Sequence, residues 1–162
     1  MRLIFHLYEQ DGPMIKKYLN MALLFAIFTL SACSKYLPVS GGALEGTVTA
    51  PPQQWGEVAD VEVIQLETAG EEPYSVNLWV VQVSGDLHVF AGDNRTAWVE
   101  NMKQNDDVRL MANDLIYELE ATRVTDKATF EQFAQAWEGK YGNRPRNENV
   151  GETYLFRLTP RR

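Results

Sequence analysis

Residues 74–111 read YSVNLWVVQVSGDLHVFAGDNRTAWVENMKQNDDVRLM, and this stretch decides the fold. Residues 76–83 are almost continuously apolar and rich in valine, a pattern typical of a strand covered on both faces. Residues 84–86 carry the Ser-Gly-Asp signal of a tight turn, and residues 87–90 return to strand composition. The first half of the stretch therefore predicts two strands joined by a tight turn.

The second half of the stretch changes its periodicity. Residues 91–94 break the strand pattern, and residues 96–105 then predict a short helix. Trp98 and Met102 lie four positions apart and share one face of that helix. Residues 108–111 return to strand composition, so the predicted order is strand, turn, strand, short helix, strand.

The rest of the chain adds further strands and a longer helix. Strand composition recurs in residues 44–50, 61–68, 115–124 and 152–159. A helix capped by Thr125 or Asp126 and ended by Gly142 is predicted from an apolar stripe at Phe130, Phe133, Ala134, Trp137 and Tyr141. The sum is an α+β fold or small barrel of six or seven mostly antiparallel strands with two or three short helices.

Composition excludes several classes of protein. The 162 residues carry 15 basic and 22 acidic side chains, a net charge of −7, which argues against neutralisation of nucleic-acid phosphates. Hydrophobic residues make up 45 % of the chain, within the globular range. Cys33 is the one cysteine and His6 and His88 are the two histidines, so we expect neither an intrachain disulfide nor a metal site with nitrogen and sulfur ligands.

The N-terminal segment predicts a targeting signal. Lys16 and Lys17 precede an uncharged apolar run over residues 21–30, too short to span a membrane but typical of a signal peptide. Residues 30–33, Leu-Ser-Ala-Cys, resemble the lipobox of bacterial lipoproteins. That resemblance implies cleavage before Cys33, a diacylglycerol thioether on its sulfur and acylation of the new amino terminus. The alternative is an ordinary secretory signal cleaved near Ala32, which leaves a free thiol.

We therefore divide the chain into a signal peptide with lipobox over residues 1–33, a flexible tether over 34–46 and a barrel domain over 47–162. Residues 1–13 fit the signal poorly, and we expect Met14 to be the true start. Ser34 follows the cysteine where an aspartate would retain an enterobacterial lipoprotein in the inner membrane. We thus expect a protein of the bacterial envelope, anchored in the outer membrane and facing the periplasm.

The order of elements over residues 44–159 resembles the split-barrel superfamily of FMN-dependent pyridoxamine-phosphate oxidases and deazaflavin-dependent nitroreductases. The resemblance is carried by VEVIQLET, by LWVV with GDLHVF, and by AWVENMKQNDDVRL. It implies a small split β-barrel and is closest to an uncharacterised branch of that superfamily.

The same resemblance implies cofactor-binding positions at Thr68, Arg95, Thr96 and Trp98. Arg95 offers a fork of donors to a phosphate, the start of the short helix adds backbone N–H groups, and Trp98 could stack on a flavin ring. Alternatively, Arg95 is a solvated loop residue and Trp98 is a core residue beside Met102. The loop after Thr68 departs from the deazaflavin enzymes, because its two carboxylates would repel a phosphate.

Two functions remain open at this point. One is a lipid-anchored module that binds a small molecule or an envelope protein, with a homodimer suggested by the relatives. The other is a flavin- or deazaflavin-dependent oxidoreductase. We expect no bound cofactor and weak or no affinity for FMN, since Arg95 is the only basic residue between Glu57 and Glu100. Additional cations would have to come from Lys140, Arg144 or Arg146.

The lipobox generates the first test. Cys33→Ser removes the only thiol and should leave unlipidated precursor or soluble protein, because no other side chain of the sequence can accept the thioether. Metabolic labelling with palmitate and partitioning into detergent measure the outcome. A Cys33→Ser variant that still incorporates palmitate would show that the box is not used.

Overall fold

A computed structural model describes residues 40–161 and shows, within that range, an α+β split barrel of seven strands and three helices. The strands are β1 Thr47–Thr49, β2 Val63–Thr68, β3 Tyr74–Val83, β4 Asp86–Phe90, β5 Asp107–Ala112, β6 Leu115–Arg123 and β7 Leu155–Pro160. The helices are α1 Gly56–Asp60, α2 Ala97–Gln104 and α3 Lys127–Tyr141. The predicted fold class is confirmed.

Six antiparallel strands close the barrel in the order β6-β5-β2-β3-β4-β7, and β7 pairs back onto β6. The edge of β6 opposite β5 is shared by two partners. Its first residues pair in parallel with β1, from Leu115 opposite Thr47, and its last residues pair with β7, up to Arg123 opposite Phe156. The short strand β1 therefore lies outside the closed barrel.

Tight turns with left-handed backbone join two of the hairpins. Ser84 and Gly85 have φ of 52° and 96° between β3 and β4, and Asn113 and Asp114 have φ of 53° and 62° between β5 and β6. Two consecutive positive φ values match the twist of paired antiparallel strands. The turn at Ser84 and Gly85 was predicted from its residue types.

Two apolar cores flank the sheet. The core inside the barrel includes Ile64, Leu66, Val80, Leu87, Leu110, Leu119, Phe156 and Leu158. The core outside it, beneath α3, includes Val81, Val83, Phe130, Phe133, Ala134, Trp137 and Leu155. Valines of β3 contribute to both cores, which confirms the prediction of a strand covered on both faces.

Helix α3 has the predicted caps. Asp126 accepts a hydrogen bond at 2.7 Å from the backbone N–H of Thr129, and Gly142 adopts φ of 79° while its N–H donates to the carbonyl of Glu138 at 2.8 Å. An aspartate at the N-cap and a left-handed glycine after the last turn satisfy backbone groups that helix ends leave free.

The C-terminal turn of α3 is hydrogen-bonded to β3 at Val80, just past the last β3 residue that pairs with β2. The ammonium of Lys140 donates to the carbonyls of Ala59, Val61 and Val80 at 2.5, 2.6 and 2.8 Å. The Tyr141 hydroxyl accepts from the N–H of Val80 at 3.0 Å. These two side chains satisfy backbone groups of Val80 that have no partner on β2, whose pairing with β3 starts at Val63.

Within the predicted tether, Gly41 and Leu44 form hydrogen bonds to the outer face of the sheet. Gly41 exchanges hydrogen bonds with Ser75, and the N–H of Leu44 donates to the carboxylate of Glu67. Glu67 is held by a two-pronged ion pair with Arg109 at 3.0 and 3.1 Å. The flexibility of the tether over residues 34–46 stays a prediction.

The predicted signal peptide, the lipobox with Cys33 and the first residues of the tether lie outside residues 40–161. Among the helices that the structure describes, none has the length and apolarity to cross a membrane.

His88 is buried between the sheet and α3. It alternates with Leu87 and Val89 of the barrel core, so it points to the opposite face, where Phe90 contacts Phe130 and Phe133 of α3. Nδ1 lies 3.1 Å from the carbonyl of Asp86, and Nε2 has no hydrogen-bond partner within residues 40–161. Burial lowers the pKa of His88, Arg157 adds to this effect, and the carbonyl and carboxylate of Asp86 oppose it.

This environment predicts an acid-sensitive fold. As pH falls below 6.5, the histidine of the unfolded chain binds a proton while His88 in the native protein stays neutral. The free energy of unfolding should therefore decrease below that pH and be fully retained above it. Denaturant unfolding about one pH unit on either side of 6.5 measures the effect.

His88→Leu provides the matched comparison, because it fills the site without a titrating group. Its free energy of unfolding should change less over this pH interval than that of the natural protein. Equal pH dependence in both proteins would show that His88 does not respond to acid.

Candidate anion-binding site

Helix α2 and the loop before it form one side of the candidate site. Trp98, Val99 and Met102 face the barrel core, so this amphipathic helix is held against β2 and β3. Arg95 precedes the helix and is exposed, while Lys103 lies in its last turn on the solvent side. The burial of one face therefore fixes where these two cations project.

Tyr154, directly before β7, is the centre of the site. Its backbone N–H donates to the carbonyl of Gly92 at 2.7 Å, and its carbonyl accepts from the N–H of Ala91 at 2.9 Å. Because Ala91 and Gly92 lead into the loop that carries Arg95, this backbone pairing places the tyrosine beside the start of α2. The residue is 7 % exposed.

Three cations from three elements converge on Tyr154. Nε of Arg95 donates to its hydroxyl at 3.1 Å. Nζ of Lys103 lies 4.8 Å and Cζ of Arg123, at the end of β6, lies 4.7 Å from the ring centroid. Cation–π distances below about 6 Å are attractive, so the contacts of Lys103 and Arg123 with the ring are each favourable.

Few carboxylates neutralise this cluster. Within residues 40–161, Lys103 pairs with Glu100 at 2.7 Å, whereas Arg95 and Arg123 form no ion pair with a carboxylate. Arg123 is instead oriented by a 2.9 Å hydrogen bond to the carbonyl of Thr153. The hydrogen bond from Arg95, followed by the charges of Arg95 and Lys103, lowers the pKa of Tyr154, while burial opposes the shift. Two of the three cations around Tyr154 therefore lack a carboxylate partner among residues 40–161.

The residues that the resemblance had grouped all lie at or against α2, but they differ in exposure. Of them, Arg95 is in the cationic cluster, and Thr96 stands exposed at the N-cap of α2 with no capping hydrogen bond from its side chain. Thr68 is fully buried, where its hydroxyl donates to the carbonyl of Tyr74 at 3.3 Å and accepts from Asn101 at 3.1 Å. Trp98 is 4 % exposed and packs against Phe156, with 5.9 Å between ring centroids.

These positions bear differently on the predicted cofactor contacts. Arg95 and Thr96 are open to a ligand, whereas Thr68 and Trp98 are engaged inside the protein. A flavin ring would meet little of the Trp98 face, because the core already covers it. Their role in cofactor binding stays a prediction.

Lys103 and Arg123 were missed by sequence reasoning, which looked instead to Lys140, Arg144 and Arg146. The ammonium of Lys140 donates to three backbone carbonyls. Arg144 forms ion pairs with Glu131 and Glu148 at 2.9 and 2.8 Å. The only local signal for Lys103 was its position beside the buried face of α2. Nothing local pointed to Arg123, since its place depends on pairing with β7.

The arrangement suits recognition of an anion. The exposed side chains of Arg95, Lys103 and Arg123 supply guanidinium and ammonium donors, and such donors match the acceptors of a phosphate or carboxylate group. Among residues 40–161, no group of three or more His, Cys, Asp or Glu side chains could hold a metal ion.

Known structures share the split-barrel fold. A pyridoxamine 5′-phosphate oxidase-like protein from Listeria innocua aligns at TM-score 0.52 and 15 % identity, covering 66 % of this chain and 90 % of its own. A NimC/NimA family protein from Clostridium acetobutylicum aligns at 0.51 and 18 %, covering 64 % and 78 %. Campylobacter jejuni ChuZ aligns at 0.55 and 12 %, covering 65 % of this chain and 50 % of its own.

No protein-family model matches the sequence, and no curated protein matches it at a significant level. The structural neighbours therefore share the split-barrel fold. At these identities they establish the fold alone.

Proposed function

We propose that this protein is a lipid-anchored binding module of the bacterial envelope that takes a small phosphate-bearing molecule at the cationic cluster. The convergence of Arg95, Lys103 and Arg123 on Tyr154 carries the proposal. Three cations with one paired carboxylate leave a local charge that a dianionic group would balance.

The acidic character of the whole chain does not cancel this site. Charges farther away than a Debye length, about 8 Å at physiological ionic strength, are largely screened. A phosphate therefore meets chiefly the side chains around Tyr154, although the net charge of the chain is −7. In this proposal three donor side chains bind the phosphate, whereas the sequence suggested a single arginine.

Magnitudes set the affinity that we expect. A hydrogen bond to a charged group contributes about 1.5–3 kcal/mol, and solvent exposure lowers that contribution. Micromolar binding requires about 8 kcal/mol, so one donor falls short and three approach this range. We expect inorganic phosphate to bind with a dissociation constant on the order of 0.1 mM.

The surroundings favour recognition of the charged group over recognition of a flavin ring. Lys103 and Arg123 lie over the ring of Tyr154, and Trp98 is buried. Neither aromatic side chain offers a free face beside the cations on which an isoalloxazine could stack. FMN should therefore bind no more tightly than a simple phosphate ester.

A flavin- or deazaflavin-dependent oxidoreductase is the second candidate. It is supported by the exposed Arg95 and Thr96 at the start of α2 and by a structural neighbour named as an oxidase of pyridoxamine 5′-phosphate. An aromatic platform supplied by a second copy would complete such a site. A homodimer is part of this alternative, and analytical ultracentrifugation measures it.

Anchoring through Cys33 would hold the site near the membrane surface, facing the periplasm under the outer-membrane proposal. The lipobox supports this placement, and loss of palmitate labelling from Cys33→Ser tests it. A ligand of the periplasm then reaches the site without crossing the inner membrane.

Calorimetric titration of the purified protein with phosphate tests the binding proposal. Arg95→Gln and Lys103→Gln should each weaken binding about tenfold, because each removes a charged donor. Arg146→Gln is the matched control, since Arg146 is exposed on the loop after α3 and should leave the affinity unchanged. Equal affinity in all four proteins, or no binding, would contradict the proposal.

Riboflavin and FMN separate the two candidate functions. The binding module should take FMN and phosphate with similar affinity and should not take riboflavin, which lacks the phosphate. Submicromolar binding of both flavins would favour the oxidoreductase.

A further inference from the structure

Tyr154 differs from the other members of the cationic cluster because it is the one that gains negative charge when it loses a proton. Its hydroxyl accepts from Nε of Arg95 at 3.1 Å, and Lys103 and Arg123 lie within 5 Å of its ring centroid. The charged groups that face it are thus Arg95 from the loop, Lys103 with its partner Glu100 from α2, and Arg123 from β6. When Tyr154 loses its proton, these cations would stabilise the phenolate as they would stabilise a bound anion.

Resting on the proposed function, we infer that Tyr154 couples ligand binding to protons at this site. When the site is occupied, the neutral hydroxyl donates its hydrogen bond to the bound dianion while Arg95 turns its donors to the same ligand. When Tyr154 is ionised, its phenolate interacts with the cations in place of the ligand and repels the dianion. Ligand binding and ionisation of Tyr154 therefore exclude one another.

Thermodynamic reciprocity gives the consequence. If ionisation of Tyr154 weakens ligand binding by a given factor, ligand binding must oppose ionisation of Tyr154 by the same factor. The pKa of Tyr154, which Arg95 lowers in the free protein, should rise when the site is filled. Affinity should fall as pH rises through that ionisation and be fully present below it.

Inorganic sulfate is the sharpest probe, because it stays a dianion throughout the relevant pH range. Any pH dependence of sulfate binding must then come from titrating groups of the protein. Lysine also loses its charge at alkaline pH, so the measurement uses a Lys103→Arg background, which keeps the positive charge without titrating. The full-length protein in detergent is titrated with sulfate at constant ionic strength maintained with chloride.

The comparison is between Lys103→Arg and Lys103→Arg with Tyr154→Phe, which keeps the ring and its cation contacts but removes the hydroxyl. At neutral pH the second protein should bind sulfate about 2–10-fold more weakly, because one hydrogen bond is lost. Affinity should decline at alkaline pH in the first protein and stay level in the second. Ultraviolet difference spectra between the two should show the Tyr154 titration moving to higher pH with saturating sulfate.

The outcomes separate this inference from the proposed function. Sulfate binding that depends on Arg95 but shows the same pH profile in both proteins, with an unmoved Tyr154 titration, overturns the coupling and leaves the binding module intact. No sulfate or phosphate binding at any pH overturns both. A profile that flattens with Tyr154→Phe and a shifted titration support the coupling.

Discussion

Pairing between β6 and β7 closes the barrel, and the candidate site depends on that closure. The pairing runs from Leu119 opposite Pro160 to Arg123 opposite Phe156. It brings the guanidinium of Arg123, at the end of β6, to Tyr154, which lies directly before β7. Without this contact between two distant segments, Arg123 would belong to an isolated strand end and the cluster would lose one of its three cations.

The other two cations are placed by the same tyrosine and by the barrel core. Backbone hydrogen bonds join Tyr154 to Ala91 and Gly92, which fixes the start of the loop that carries Arg95. Burial of Trp98 and Met102 then sets the rotation of α2 and directs Lys103 outward. A strand end, a loop and a helix meet at one aromatic ring because the core constrains all three.

Local patterns were sufficient for the elements and insufficient for the site. The Ser84–Gly85 turn, the Asp126 and Gly142 caps and the stripe from Phe130 to Trp137 follow from residue preferences over a few positions, and the structure confirms them. Lys103 and Arg123 meet at Tyr154 through contacts of 51 and 31 residues along the chain, which no local period encodes. The hydrogen bond from the N–H of Leu44 to the carboxylate of Glu67 is likewise a contact between segments distant in sequence.

A crystal structure of the protein, grown without phosphate or sulfate and then soaked with phosphate, tests the central claim most directly. The account predicts a tetrahedral ion held by Arg95, Lys103 and Arg123, with the Tyr154 hydroxyl within hydrogen-bonding distance of one of its oxygens. Phosphate bound elsewhere on the barrel, or a cluster left empty at saturating phosphate, would contradict it.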